Sequence, residues 1–140
     1  MDGPLAAKAA KTKEALARKP KTIVVDPRET MLAKRADIWL QLRPGTDDAL
    51  ALAMLNVIIG EGLHDNEFVQ KWCYGFEELA ERVKSYTPEW AEPLTWVSAD
   101  QIREAARLYA KIKPSMLEWG CAIEHTPACF QTVRALLCLP

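Results

Sequence analysis

Apolar residues along this chain change their spacing several times, and each change marks a predicted element. Residues 22–25, TIVV, are β-branched and uninterrupted, the composition of a short strand covered on both faces. Residues 38–42, IWLQL, predict a second strand closed by Arg43, Pro44 and Gly45, and residues 115–119, SMLEW, a third. The run DDALALAMLNVIIGEG is apolar on most of its circumference and predicts a largely buried helix ending at Gly60 and Gly62. Thr46 before it suits an N-cap, and Asp47 and Asp48 suit the positive end of the helix. Asp65 opens the short helix NEFVQKWC, and Gly75 separates it from FEELAERVKSY.

The remaining pattern is read the same way. TPEWAEPLTWV, with prolines at 88 and 93, predicts a connector lying across the surface. Ser98 followed by Gln101 forms a capping box, and the helix behind it carries Ile102, Ala105, Ala106, Tyr109 and Ile112 as one apolar stripe. Residues 120–125 predict a loop, with Thr126 and Pro127 as the N-cap and first position of the helix ACFQTVRALLCL. A further helix, LAAKAAKTKEALARK, runs from Pro4 until Pro20 stops it. Strands alternating with amphipathic helices predict an α/β domain with a mainly parallel sheet. Three strands are few for such a sheet, and no strand with a glycine-rich turn precedes the first helix. With the apolar face of the last helix, this predicts that the chain is a segment of a longer protein.

Composition narrows the functional classes. Hydrophobic residues make up 49% and charged residues 26% of 140, the balance of an ordinary globular domain. A net charge of −1 argues against capture of nucleic acid, and no apolar run reaches the length of a membrane span. The lysines and arginines crowding residues 8–21 lack interleaved aromatics and read as a solvated helix face. Cys73, Cys121, Cys129 and Cys138 form no CxxC pair, so reduced core thiols are expected rather than a metal site. The five tryptophans are spread too evenly for a stacking platform, and His64 reads as a surface residue.

The candidate chemistry lies where strands end. In a doubly wound sheet, ligands sit beyond the carboxyl ends of the strands, where a carboxylate can accept from sugar hydroxyls. Asp26, Pro27 and Arg28 follow the first strand, and Arg28 offers a cation for a phosphate or a flat guanidinium for a base. Gly45, Thr46 and Asp47 follow the second, where glycine admits a ligand to the backbone and the helix start offers free N–H groups. Asp-Pro-Arg and Pro-Gly are also ordinary turns. Consecutive parallel strands would nonetheless bring both turns to one edge.

The stretch IVVDPRETMLAKRADIWLQLRPGTDDALALAMLNVIIGEGLHDNEFVQKW, followed by YGFEEL, YTPE, IREAARLYA and WGCAIEHT, resembles the molybdopterin oxidoreductases. That family contains formate dehydrogenases and nitrate, thiosulfate, polysulfide and arsenate reductases, with acetylene hydratase as a non-redox offshoot. The resemblance runs from Lys21 to Pro140 and implies the family's third domain, a Rossmann-like three-layer α/β/α unit. It implies that Asp26, Pro27, Arg28, Glu29 and Thr30, with Gly45, Thr46 and Asp47, contact the guanosine end of a molybdopterin guanine dinucleotide. Cys121 and His125 stand in the loop that approaches the pterin, where the family uses methionine and glutamine. They read either as a small thiol and a backbone-bonded histidine or as cofactor contacts, with His125 poised for proton transfer. The resemblance further implies that the molybdenum or tungsten ligand, the iron–sulfur cysteines and the covering barrel lie in other domains, with an iron–sulfur subunit as a possible electron partner. A fragment with one wall of such a site is expected to be inactive. The competing expectation is a stand-alone scaffold module that kept the fold without the cofactor.

Overall fold

The computed structural model describes Glu14 and residues 17–140. Strand β1 (Ile23–Val25) and strand β2 (Ile38–Leu40) pair in parallel, with Ile23 opposite Ile38, Val24 opposite Trp39 and Val25 opposite Leu40. Parallel partners need a crossover of roughly a dozen residues, and residues 26–37 supply it through a 3-10 turn at Ala33–Arg35. Asp37 ties the two strand entrances together. Its carboxylate accepts from Lys21 Nζ at 2.6 Å and from the Thr22 N–H at 2.8 Å. The Lys21 ammonium, and after it the Thr22 N–H, holds the Asp37 carboxyl below the usual carboxylate range.

Helix α1 (Asp47–Gly60) is the hub. It packs against α3 (Phe76–Val83), α4 (Pro88–Thr95), α5 (Ala99–Lys111) and α7 (Cys129–Leu137). The remaining helices are α2 (Asn66–Trp72) and the single turn α6 (Cys121–Glu124). Leu50, Ala53, Met54, Val57 and Ile58 of α1 meet Ile38, Leu40 and Leu42 of the β2 segment and Ile102, Ala105 and Ala106 of α5 in one core. Apolar residues around most of the helix allow contact on several sides at once, as expected for a buried helix. Alanine at positions 53, 91, 105 and 106 lets helices approach closely, because each is fully buried and contributes only a methyl group. The observed class is thus α/β with a short parallel sheet, helices dominating.

Helix boundaries follow local chemistry. Ser98 Oγ accepts from the Gln101 N–H at 3.3 Å, while the Gln101 side chain meets Ser98 Oγ at 3.2 Å rather than reaching the backbone. One half of the capping box forms. At the other end of α1, Gly62 N donates to Ile59 O at 3.1 Å and Leu63 N to Ile58 O at 2.8 Å. Those two bonds define a Schellman stop, with Gly62 in the left-handed region at φ +63 and Leu63 packed on the core.

Several expectations are corrected. Residues 115–119 pair with no strand among the described residues, although Ser115, Leu117 and Trp119 are half-buried and Met116 and Glu118 exposed. The alternation of a strand is there, but a ladder needs a neighbour. TIVV is not covered on both faces either; Ile23 and Val24 are half-buried and Val25 is exposed. The segment read as a surface connector is α4, with Thr87 Oγ1 accepting from Trp90 N at 3.2 Å and Pro88 at the first position, where its missing N–H costs nothing. Ala91, Thr95 and Val97 make that segment part of the core. Residues 120–125 hold the turn α6 rather than a loop throughout, and Thr126 does not cap α7. Its hydroxyl donates to Ile123 O, while α7 starts behind Ala128. In the stripe of α5, Ile112 lies beyond the helix end and is exposed.

Cys73, Cys121 and Cys138 are exposed and Cys129 half-buried, so these thiols are not core residues. Cys73 and Cys138 sit at helix C-caps, where the chain turns outward. His64 is half-buried against Phe76, their ring centroids 4.8 Å apart. Most of the expected helix from Pro4 to Lys19 lies outside the described residues. No helix among the described residues is long and apolar enough to cross a membrane.

Gly62→Ala is expected to destabilise the chain by about 1 kcal/mol in urea unfolding. A Cβ there would meet no atom within 4 Å, so the loss would come from the left-handed backbone alone.

Candidate functional site

Parallel pairing directs the carboxyl ends of β1 and β2 to the same edge of the sheet. The first turn leaves β1 at Asp26, whose N–H still donates to Leu40 O at 3.2 Å. Asp26 Oδ1 accepts from the Arg28 N–H at 2.8 Å, forming an Asx turn around Pro27. Arg28 Nε lies 3.8 Å from the same oxygen, with the side chain 84% exposed. Oδ2 of Asp26 accepts no hydrogen bond from the described residues. Half of that carboxylate therefore builds the turn and half remains available.

Two further residues support this turn from below. Trp39 Nε1 donates to Asp26 O at 2.9 Å, and Gln41 Nε2 donates to Pro27 O at 3.2 Å. Sequence reasoning missed both. The signal was present, because positions 39 and 41 share one face of a strand while Ile38, Leu40 and Leu42 share the buried one. Thr30 Oγ1 accepts from the N–H of Ala33, the first residue of the 3-10 turn, at 3.2 Å, and Glu29 meets Lys34 at 3.6 Å. Both side chains thus already have local duties.

The second turn follows β2. Arg43 N donates to Thr95 O at 2.8 Å, which fastens the turn to the end of α4. Thr46 was expected to cap α1 with its side chain; instead its hydroxyl donates to Arg43 O at 2.7 Å. That bond closes the loop around Gly45, which sits at φ +81 with open space where a Cβ would be. The left-handed backbone requires glycine or strain, and the open space leaves the backbone approachable. Asp47 is half-buried at the start of α1. Burial pushes its carboxyl above the usual range, against its own N–H, and the neighbouring Asp48 pushes the same way.

Both turns therefore leave the sheet at the same end, residues 26–30 after β1 and Gly45, Thr46 and Asp47 after β2. Cys121 and His125 belong elsewhere in the packing. Cys121 opens α6 and His125 closes it; α6 packs on α7, and α7 packs on α1. Both residues are exposed. No group of three or more His, Cys, Asp or Glu among the described residues is arranged to hold a metal ion.

A cleft of about 740 Å³ lies at the opposite end of the strands, between Lys21, Asp37 and Ile38 on one side and Arg103, Arg107 and Lys111 on the other. Its charges are largely matched internally. Arg107 forms a two-pronged pair with Glu61 at 2.7 to 3.1 Å, Lys21 pairs with Asp37, and Arg103 with Glu89 and Asp100. With Lys21, Arg103 and Arg107 already paired, the cleft offers less to an anionic ligand than its cation count suggests.

A sequence model of the family described as "Molybdopterin oxidoreductase" matches residues 4–139. The chain belongs to the molybdopterin oxidoreductase family. Acetylene hydratase of Syntrophotalea acetylenica is 47% identical over 123 residues, covering 88% of this chain and 17% of the hydratase. Formate dehydrogenase H of Escherichia coli is 44% identical over 119 residues, again 17% of its own length. The solved structure of acetylene hydratase from Pelobacter acetylenicus superposes with a TM-score of 0.91 at 45% identity, covering 94% of this chain and 18% of that one. The chain thus spans under a fifth of the length of these relatives.

Within this family domain Asp47 carries a carboxyl pushed up by burial. A carboxyl whose pKa is raised on folding binds its proton more tightly folded than unfolded. Such a group favours folding below the unfolded pKa of about 3.9 and weakens it as pH rises through the folded value. At neutral pH the Asp47 charge is therefore carried at a cost to stability. Asp47→Asn is expected to raise the melting temperature at pH 7 and to lose that advantage at pH 3, measured by thermal unfolding at both.

Proposed function

We propose that this chain is the domain of a molybdopterin-dependent oxidoreductase that binds the guanosine end of a molybdopterin guanine dinucleotide. The observation that carries the reading is the shared rim: two turns on consecutive parallel strands, one with a half-free carboxylate and an exposed guanidinium, the other with an approachable backbone. Guanine presents N–H donors and ribose presents hydroxyls, and carboxylates accept from both in a planar, two-pronged geometry. Asp26 Oδ2 and Asp47 are the acceptors in this assignment. Arg28 supplies a flat cation for the base or a phosphate, and the Thr46 hydroxyl can accept while it donates to Arg43 O.

The family cofactor supplies metal-centred redox chemistry where it is held whole. This chain's part is to bind and orient one nucleotide end of it, with Trp39 and Gln41 keeping the Asp26 turn in place. The carboxylate that remains dear to hold charged without a ligand, Asp47, is the one whose desolvation a donor-rich ligand would offset. Cys121 and His125 are assigned to the pterin side of the same cofactor. Since the chain spans only 17% of its relatives, the remaining domains and any iron–sulfur subunit are the partners that complete such a site.

GMP titrated into the 140-residue chain is expected to shift the backbone amides of residues 26–30 and 45–47. Asp26→Asn is expected to weaken that binding about tenfold, the loss of one charged hydrogen bond. A flat amide response up to millimolar GMP would remove the reading and favour a scaffold module. The purified chain mixed with the cofactor is expected to show no turnover of formate or nitrate with an artificial electron carrier. Measurable turnover would show that one wall of the site suffices.

A further inference from the structure

Trp96 is the residue in the described chain that the fold explains least. It is a bulky residue in the left-handed region, φ +66, yet its side chain is 69% exposed. A large side chain at such a backbone angle is an outlier that persists only where neighbours dictate it. Its neighbours do. Thr95 and Val97 on either side are fully buried, Thr95 Oγ1 donates to Ala91 O at 2.9 Å, and Val97 N donates to Thr95 Oγ1 at 3.2 Å. Trp96 N donates to Glu92 O at 3.0 Å as the last bond of α4. The backbone is thus held left-handed by its surroundings, while the indole gains little burial in return. Glycine would satisfy the backbone without strain.

The indole stands beside the second rim turn. Arg43 N donates to Thr95 O, so the residue before Trp96 is bonded to the residue two before Gly45. The Arg43 guanidinium carbon lies 5.4 Å from the Trp96 ring centroid, a cation–π stack. Arg43 is itself fixed by the Thr46 hydroxyl on its carbonyl. Two flat groups are therefore held at the edge where Gly45, Thr46 and Asp47 present their backbone.

We propose that the Arg43–Trp96 pair is a stacking wall for the nucleobase of the nucleotide bound at this rim. This rests on the binding reading above and adds to it the residues that recognise the base through its π face. A guanidinium lying over an indole presents a planar cation to a base, and an exposed indole, a bicycle of the size of a purine, can itself receive one. Hydrogen bonding by Asp26 and Asp47 acts in the plane of the base, so a wall parallel to that plane, touching the base's face, is complementary to them.

The test compares GMP with ribose 5-phosphate, which lacks the base, on wild type, Trp96→Gly, Trp96→Phe and Asp26→Asn. Trp96→Gly is expected to weaken GMP binding about 5- to 150-fold, the range for loss of one stacked aromatic, while leaving ribose 5-phosphate unchanged. Its melting temperature is expected to be no lower than wild type, because glycine adopts the left-handed angle freely. Trp96→Phe is expected to keep GMP affinity within about threefold. Unchanged GMP affinity in Trp96→Gly, with Asp26→Asn impaired, overturns the stacking wall and leaves the nucleotide site standing. Equal weakening of both ligands by Trp96→Gly overturns it too, since a structural role would do that. If wild type binds neither ligand, the site itself falls and the wall with it.

Discussion

The parallel pairing of β1 and β2 is the constraint on which the candidate site depends. Three residue pairs in register decide that Asp26 and the Arg43–Asp47 turn emerge on one edge. The ladder is short, and an isolated pair of strands has little stability of its own. It is held at its entrance by Asp37, which binds both Lys21 and the Thr22 backbone, and along one face by the packing of Ile38, Leu40 and Leu42 on α1 and α5. An antiparallel arrangement of the same segments would have sent the two turns to opposite ends.

Around that pairing, polar groups divide between structure and surplus. At the entrance most charges are paired: Lys21 with Asp37, Arg107 with Glu61, Arg103 with its two acidic partners. At the rim the accounting is incomplete. Asp26 spends one oxygen on its own turn, Asp47 sits desolvated, and Arg28 stays exposed. Cleft volume therefore points to one end of the sheet and unmatched chemistry to the other. Chemistry is the better guide, because a ligand competes with existing partners for each group it uses, whereas open space at a charged surface is filled by water.

The physical argument for the rim rests on the parallel pairing, while the comparisons give the family of the segment. Matches to hydratases, dehydrogenases and reductases share this segment while their names describe different reactions. A fold that recurs beneath different chemistries is expected where the segment's work is holding rather than reacting.

Much of this was legible in the amino-acid order. The buried α1, the capping residue Ser98, the Gly62 stop and the two strand-ending turns each follow from periodicity or local hydrogen bonding, which act over a few residues. Tertiary contacts decided the rest. Pro88 and Pro93 looked like breakers, but Pro88 fits the first helical position and the core receives Ala91 and Thr95, so α4 forms. Residues 115–119 have a strand's alternation and no ladder, because pairing is a property of two segments. Thr46 and Thr126 turned their hydroxyls to carbonyls instead of capping helices. The left-handed Trp96 and the half-free Asp26 were likewise invisible in the sequence, since both exist only once a distant strand or helix fixes the backbone beside them.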